Sequence, residues 1–228
     1  MAALIFDFDG VIADSEALAN VVLAEHVSAL GSPTTLDDAL ERYSGRRWQD
    51  VIAEIERHLG RPLPAEFSES LAAATLRRFE TDLKEVDGAQ AFLRRFADVP
   101  RCIASSSSLD RIRLCLRVLG MTREFGGRVF SAESVVHGKP HPEIFLSSAA
   151  QLGTAPRDCL VIEDSVSGIR AAVAAGMTVI GLHAASHIRG GHADKLRDAG
   201  AVHLAPSWEA ATPIAEHFLS TRGSVEAS

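Results

Sequence analysis

The period of apolar positions changes along this chain, and the change divides it. Ala2, Ala3, Leu4, Ile5 and Phe6 form a short apolar run without alternation, the pattern of a strand buried on both faces of a parallel sheet. The run stops at Asp7-Phe8-Asp9-Gly10. Helical spacing follows an Asp14 or Ser15 cap, with Leu18, Val21, Val22, Ala24 and Leu30 apolar before Gly31. Leu36–Tyr43, Gln49–Leu59 and Pro64–Leu83 predict three more helices, separated by Ser44-Gly45 and Gly60-Arg61-Pro62. Nothing from Gly31 to Val86 reads as a buried strand.

After Asp87-Gly88 the two periods alternate. Strands are predicted at Arg101–Ala104, Arg128–Phe130, Cys159–Ile162, Met177–Gly181 and Val202–Leu204. Helices are predicted at Ala89–Phe96, Leu109–Leu119, Glu143–Leu152 (opened by Pro142), Ser165–Ala175, His192–Ala199 and Pro206–Leu219. The polar stretch Thr221–Ser228 is expected to fray. Strand-helix alternation specifies an α/β fold with a doubly wound parallel sheet. The helical stretch interrupts it after the first strand, so residues 15–87 are expected to form a small inserted all-helical domain, and 1–14 with 88–228 the α/β core.

Composition narrows the function without naming it. A formal net charge of −7 over 228 residues disfavours a general nucleic-acid binder, which needs clustered Lys and Arg. No apolar run reaches the roughly 18 residues of a membrane span. The N-terminus lacks the basic start and cleavage site of a signal peptide, which points to a cytoplasmic protein. A monomer or small homo-oligomer is expected. Cys102, Cys115 and Cys159 have neither metal-ligand nor redox spacing and read as free thiols.

Chemistry gathers at the carboxyl ends of the predicted strands, where open α/β sheets bind ligands. Asp7 and Asp9, spaced by two, leave the first strand on one side. Ser105 and Ser106 follow the second, Lys139 lies in a loop, and Glu163-Asp164 end the Cys159–Ile162 strand. Singly, these also suit a turn, a solvated lysine and a helix cap. Together, Asp7, Asp9 and Asp164 make a hard all-oxygen set suited to Mg²⁺. Lys139 and the Ser105 hydroxyl suit the oxygens of a phosphoryl group, and a carboxylate can serve as nucleophile.

Four motifs in order carry a resemblance. DFDG at Asp7–Gly10, ASSS at Ala104–Ser107, GKPHPEIF at Gly138–Phe145 and VIEDSVSGI at Val161–Ile169 resemble those of the haloacid dehalogenase (HAD) superfamily, in its subgroup with a helical cap after the first motif. The resemblance implies a Rossmann-like core and a Mg²⁺-dependent phosphatase acting on a small phosphorylated metabolite through an aspartyl-phosphate. Asp7 would be the nucleophile and Asp9 the general acid/base. Ser105, Ser106 and Lys139 would hold the phosphoryl group. Mg²⁺ would be bound by Asp7, the Asp9 backbone carbonyl and Asp164, with Glu163 in or next to that shell.

Within the family the chain looks more like sugar-phosphate phosphatases, such as the 6-phosphogluconate phosphatases, than like the β-phosphoglucomutase type. Glu16–Asn20 lacks the histidine such mutases carry in the first cap helix. A sugar phosphomutase and a non-catalytic phosphate-binding protein are the alternatives. Substrate choice is expected in the cap, at Gly45, Arg46, Arg47 and Trp48, where arginines suit carboxylates or hydroxyls. His183, His187 and His192 read as loop or helix-end histidines rather than a zinc cluster, and His137 and His141 flank Lys139.

Overall fold

The computed structural model describes residues 2–44 and 46–223. These divide into two compact units, one from residues 2–14 and 84–223 and the other from 15–83. The first carries strands β1 (Ala3–Phe6), β2 (Arg101–Ser105), β3 (Val129–Ser131), β4 (Cys159–Glu163), β5 (Thr178–Leu182) and β6 (His203–Ala205). All pair parallel, in the order β3-β2-β1-β4-β5-β6. Strand order reverses between β1 and β4, and the carboxyl ends of these strands are where open α/β sheets bind ligands.

Helices α1 (Ser15–Ala29), α2 (Leu36–Arg42), α3 (Trp48–Leu59) and α4 (Phe67–Asp82) make the second unit. Its core is Val22, Leu23, Val27, Ala39, Tyr43, Val51, Ile55, Phe67 and Leu71. The sheet unit adds α5 (Ala89–Arg95), α6 (Leu109–Val118), α7 (Glu143–Leu152), α8 (Val166–Ala174), α9 (His192–Asp198) and α10 (Trp208–Gly223).

β1 is buried throughout because both faces of the sheet are covered. Ala3 and Ile5 pack with Ile144 and Phe145 of α7 and Ile169 of α8. Phe6 faces the other way, against Phe92 of α5, Phe125 and Trp208 of α10, with ring centroids 6.0–6.1 Å apart. Cys102, Cys115 and Cys159 are free and buried, and burial pushes their thiols up to about 12. Among the described residues, no helix is long and apolar enough to cross a membrane.

The departures from the sequence pattern have local causes. Residues 84–87, expected in the insert, group with the sheet unit: Asp14 N–H donates to Lys84 O and Val86 N–H to Ile12 O. β3, β5 and β6 start one residue late because the residue before each still closes a turn or follows one. Arg128 N–H is bonded to Phe125 O and Met177 N–H to Ala172 O; Val202 follows Ala201, bonded to Leu196 O. α3 starts at Trp48 rather than Gln49. α4 starts at Phe67 rather than Pro64, after a turn from Phe67 N–H to Pro64 O. α10 runs through Thr221 to Gly223, so the fraying expected from Thr221 does not begin there; its remainder, 224–228, lies outside the described residues.

Candidate active site

Asp7 follows β1 directly, its N–H bonded to Ile162 O of β4, so its carboxylate emerges at the strand-order reversal. Gly10 turns the chain at φ +77°, and a Cβ there would lie 1.9 Å from Asp164 Oδ2. Glycine thus serves twice, permitting the left-handed turn and leaving room for the carboxylate.

Lys139 reaches the same strand ends from the loop before α7. Its Nζ donates to Asp7 Oδ1 at 2.6 Å, Glu163 Oε1 at 2.7 Å and Ala104 O at 3.0 Å. An ammonium has three donors, and all three are engaged. Burial pulls Lys139 down, but Asp7 and Glu163 outweigh it and hold the ammonium above its ordinary range.

Glu163 is fully buried. Its Oε2 accepts from Ser165 N–H at 2.7 Å and Ser165 Oγ at 2.9 Å, while Ser165 Oγ caps α8 by accepting from Gly168 N–H. The helix cap is therefore Ser165, and Asp164 stands at the end of β4. A Cβ on Gly168 would meet Glu163 Oε1 at 1.5 Å, so only glycine leaves space for this carboxylate.

Asp7, Glu163 and Asp164 offer oxygens within 4.8 Å of one another, all from buried residues. Burial pushes the Asp7 carboxyl up to about 8 against the pull of Lys139, with Glu163 and Asp9 adding to the rise. An ionised Asp7 therefore calls for more positive charge than Lys139 supplies. A hard divalent cation on these oxygens meets that need, so the residues fit Mg²⁺. Both Glu163 oxygens are already bonded, which favours Asp7 and Asp164 as direct ligands and Glu163 as the group behind them.

Asp9 has partners of its own. Ser107 Oγ donates to its Oδ2 at 2.5 Å and Arg111 Nη2 to its Oδ1 at 2.6 Å. Ser105 is buried, and its Oγ accepts from Ser107 N–H at 3.0 Å, while Ser106 is exposed beside it. Ser131 Oγ of β3 donates to Ser107 O at 2.7 Å and fixes the same turn.

Arg111, Ser107, His187 and His192 were not singled out as site residues by the sequence reading. Arg111 is in the first turn of α6 and 102 positions from Asp9, so only the fold pairs them. His192 Nε2 donates to Asp164 O at 2.6 Å, and His187 Nε2 lies 3.6 Å from Asp164 Oδ2. Burial pushes His187 down to about 4, leaving it neutral beside the acids. Asp14 Oδ1 accepts from Ser186 N–H at 3.1 Å, tethering the loop that presents His187.

The cap positions belong to the helical unit. Arg46 donates to Arg42 O at 2.8 Å and pairs with Glu54, and Arg47 is bidentate on Asp50 at 3.0 and 3.2 Å. Trp48 stacks parallel to Phe67 and donates to Ser68 Oγ at 3.2 Å. Gly45 lies outside the described residues.

Residues 1–176 match the haloacid dehalogenase-like hydrolase family. The chain is 25% identical over 178 residues to 6-phosphogluconate phosphatase of Escherichia coli K12, spanning 78% of this chain and 80% of that protein. A HAD family hydrolase of Deinococcus radiodurans, solved with bound phosphate and sodium, superposes with a TM-score of 0.84 at 32% identity, over 96% of each chain. A candidate β-phosphoglucomutase of Thermotoga maritima gives 0.77 at 28% identity, over 99% of this chain and 100% of that one. The strand order, the motifs at the strand ends and the match over residues 1–176 agree: the chain belongs to the haloacid dehalogenase-like hydrolases.

Proposed function

We propose that this hydrolase is a Mg²⁺-dependent phosphatase of small phosphorylated metabolites, sugar or sugar-acid phosphates, working through an aspartyl-phosphate on Asp7. One observation carries the reading: Lys139 binds one oxygen of Asp7 and is itself braced by Glu163. That arrangement aims a buried carboxylate without consuming its other oxygen. The E. coli phosphatase and the phosphate-bearing D. radiodurans hydrolase support it.

In this reading Asp7 attacks phosphorus in line, and the P–O bond to the leaving group breaks. Asp9 protonates the departing oxygen, then takes a proton from the water that hydrolyses the aspartyl-phosphate. Arg111 and Ser107 hold the Asp9 carboxylate for both transfers. Ser105 and Ser106 bind phosphoryl oxygens. Lys139, with its donors engaged, orients Asp7 and offsets charge as phosphate enters. Asp7, the Asp9 backbone carbonyl and Asp164 would hold Mg²⁺, with Glu163 behind them. The ion would neutralise charge on the phosphoryl oxygens.

Arg46, Arg47 and Trp48 would select the substrate. Two exposed guanidiniums suit a carboxylate or hydroxyls, and a half-exposed indole suits a carbon face.

The test is phosphate release from p-nitrophenyl phosphate with Mg²⁺, and its loss on adding EDTA. A panel of phosphorylated metabolites follows, with glucose 1-phosphates included. Hydrolysis of sugar or sugar-acid phosphates is the expected result. Conversion of a glucose 1-phosphate to its 6-phosphate without net phosphate release would make the chain a mutase. No turnover of any ester would make it a phosphate-binding protein.

A further inference from the structure

Away from the strand ends, the loop that carries Lys139 brings together a second group of metal-ligating side chains of different chemistry. His137 Nδ1 lies 3.1 Å from Glu143 Oε2, and His141 Nδ1 lies 3.8 Å from the same oxygen. The two imidazole rings sit 4.7 Å apart, centroid to centroid. One ligand atom from each of the three residues falls within 4.8 Å of the others. We propose that His137, His141 and Glu143 form a binding site for Zn²⁺ or a similar borderline divalent ion.

Two imidazoles and a carboxylate are a donor set found on zinc, whereas Mg²⁺ takes oxygen ligands. The Glu143 carboxylate is fixed from behind. Val136 N–H donates to its Oε1 at 2.9 Å and His137 N–H to its Oε2 at 3.0 Å, an orienting shell of the kind metal-ligating carboxylates carry. Unlike Glu163, Glu143 bonds no ammonium among the described residues, so an ion would replace only the weak contacts of the two imidazoles, His137 Nδ1 to Oε2 and His141 Nδ1 from Glu143 N–H at 3.3 Å. Glu143 also opens α7, so one ligand is anchored to a helix and the other two come from the preceding loop. The histidine side chains are 63% and 51% exposed, so three protein ligands would leave room for water on the ion. An ion held that way exchanges with solution.

The two clusters would therefore sort cations by hardness. Asp7, Glu163 and Asp164 present only oxygen, and His137, His141 and Glu143 present mainly nitrogen. The second cluster also spans Lys139, two residues from each histidine. Occupancy would tie the loop to the start of α7 on both sides of that lysine.

The experiment is calorimetric titration of Zn²⁺ into the full-length protein in a large excess of Mg²⁺. One equivalent is expected to bind. His137→Ala and His141→Ala should each weaken it by about tenfold or more, since even the loss of an orienting partner behind a ligand costs about 10–100-fold. Asp164→Asn should leave it unchanged. Co²⁺ in place of Zn²⁺ should give a visible absorption band in the wild type that His141→Ala removes, a readout independent of heat and of catalysis. Binding that survives in the double histidine variant, binding lost in Asp164→Asn, or no binding at all would overturn the proposal.

Discussion

In the sheet unit, Lys139, Asp7 and Glu163 form an ion network whose side chains are 3%, 10% and 0% exposed. In the helical unit, Arg47 and Asp50 pair with side chains 83% and 41% exposed. Both are ion pairs of good geometry, yet the physics differs. Water screens the second, so it adds between nothing and about 1 kcal/mol. The first has lost its water, and the desolvation that pushes the Asp7 carboxyl up roughly cancels the attraction. A well-packed apolar trio would hold the sheet unit together as well. The buried network is thus poor evidence for stability and better evidence for chemistry at Asp7.

The sharpest way to break this comparison is at Asp7 itself. Asp7→Asn keeps the shape of the side chain and removes the proposed nucleophile and one carboxylate from the proposed cation site. Phosphate release should fall to background with every ester, in a protein whose circular dichroism is unchanged. Turnover above background in a folded Asp7→Asn protein would remove Asp7 from the nucleophile's role.

Lys139→Met comes next, because it removes the only side-chain cation bonded to Asp7 and Glu163 among the described residues. Breaking one side of a buried pair costs about 3–5 kcal/mol. Urea melts should show that loss, and phosphate release should be lost with it. A cost below about 1 kcal/mol would mean that Asp7 takes up a proton instead, and that the network is not held as ions.

Arg111→Ala tests a contact of intermediate exposure, since Arg111 is 26% exposed and the Asp9 carboxylate 13%. A hydrogen bond to a charged group is worth about 1.5–3 kcal/mol. If Asp9 carries protons as proposed, kcat should therefore fall roughly tenfold to a hundredfold, with KM nearly unchanged and the pH profile of kcat displaced. A change in KM alone would place Arg111 in substrate binding rather than behind Asp9.

The same contrast explains what could be read from the chain. β1 was legible because Ala3–Phe6 is apolar on both faces, and its end was legible because charge interrupts it. Asp7, Lys139 and Asp164 were legible as motifs at strand ends. Arg111, Ser107, His187 and His192 were not, since each acts through a partner distant in sequence: Arg111 on Asp9 and His192 on Asp164 O. Glu163 was legible as an acid but not as the brace of Lys139, a role set by the α8 cap at Ser165 and the space at Gly168. Strand starts slipped by one residue because Arg128 and Met177 directly precede the strand residues in sequence but are still bonded to the preceding turn.

The smallest effect is expected at Arg47→Ala, and it sharpens the comparison from the other side. Its partner Asp50 is three residues along, in the first turn of α3, and both side chains remain in water. Asp50 stays solvated when Arg47 is removed, so no unpaired buried charge is left behind, unlike Glu163 after Lys139→Met. Surface changes of this kind stay within about 0.5 kcal/mol, and urea midpoints should coincide with the wild type. Function is where Arg47 would register. If it grips the carboxylate of a sugar-acid phosphate, KM for that substrate should rise while p-nitrophenyl phosphate, which has no such group, is hydrolysed as before. An equal change for both substrates would take selection away from Arg47. A shifted urea midpoint would mean that the helical unit relies on this pair, and the division between buried charge for chemistry and exposed charge for selection would fail at that residue.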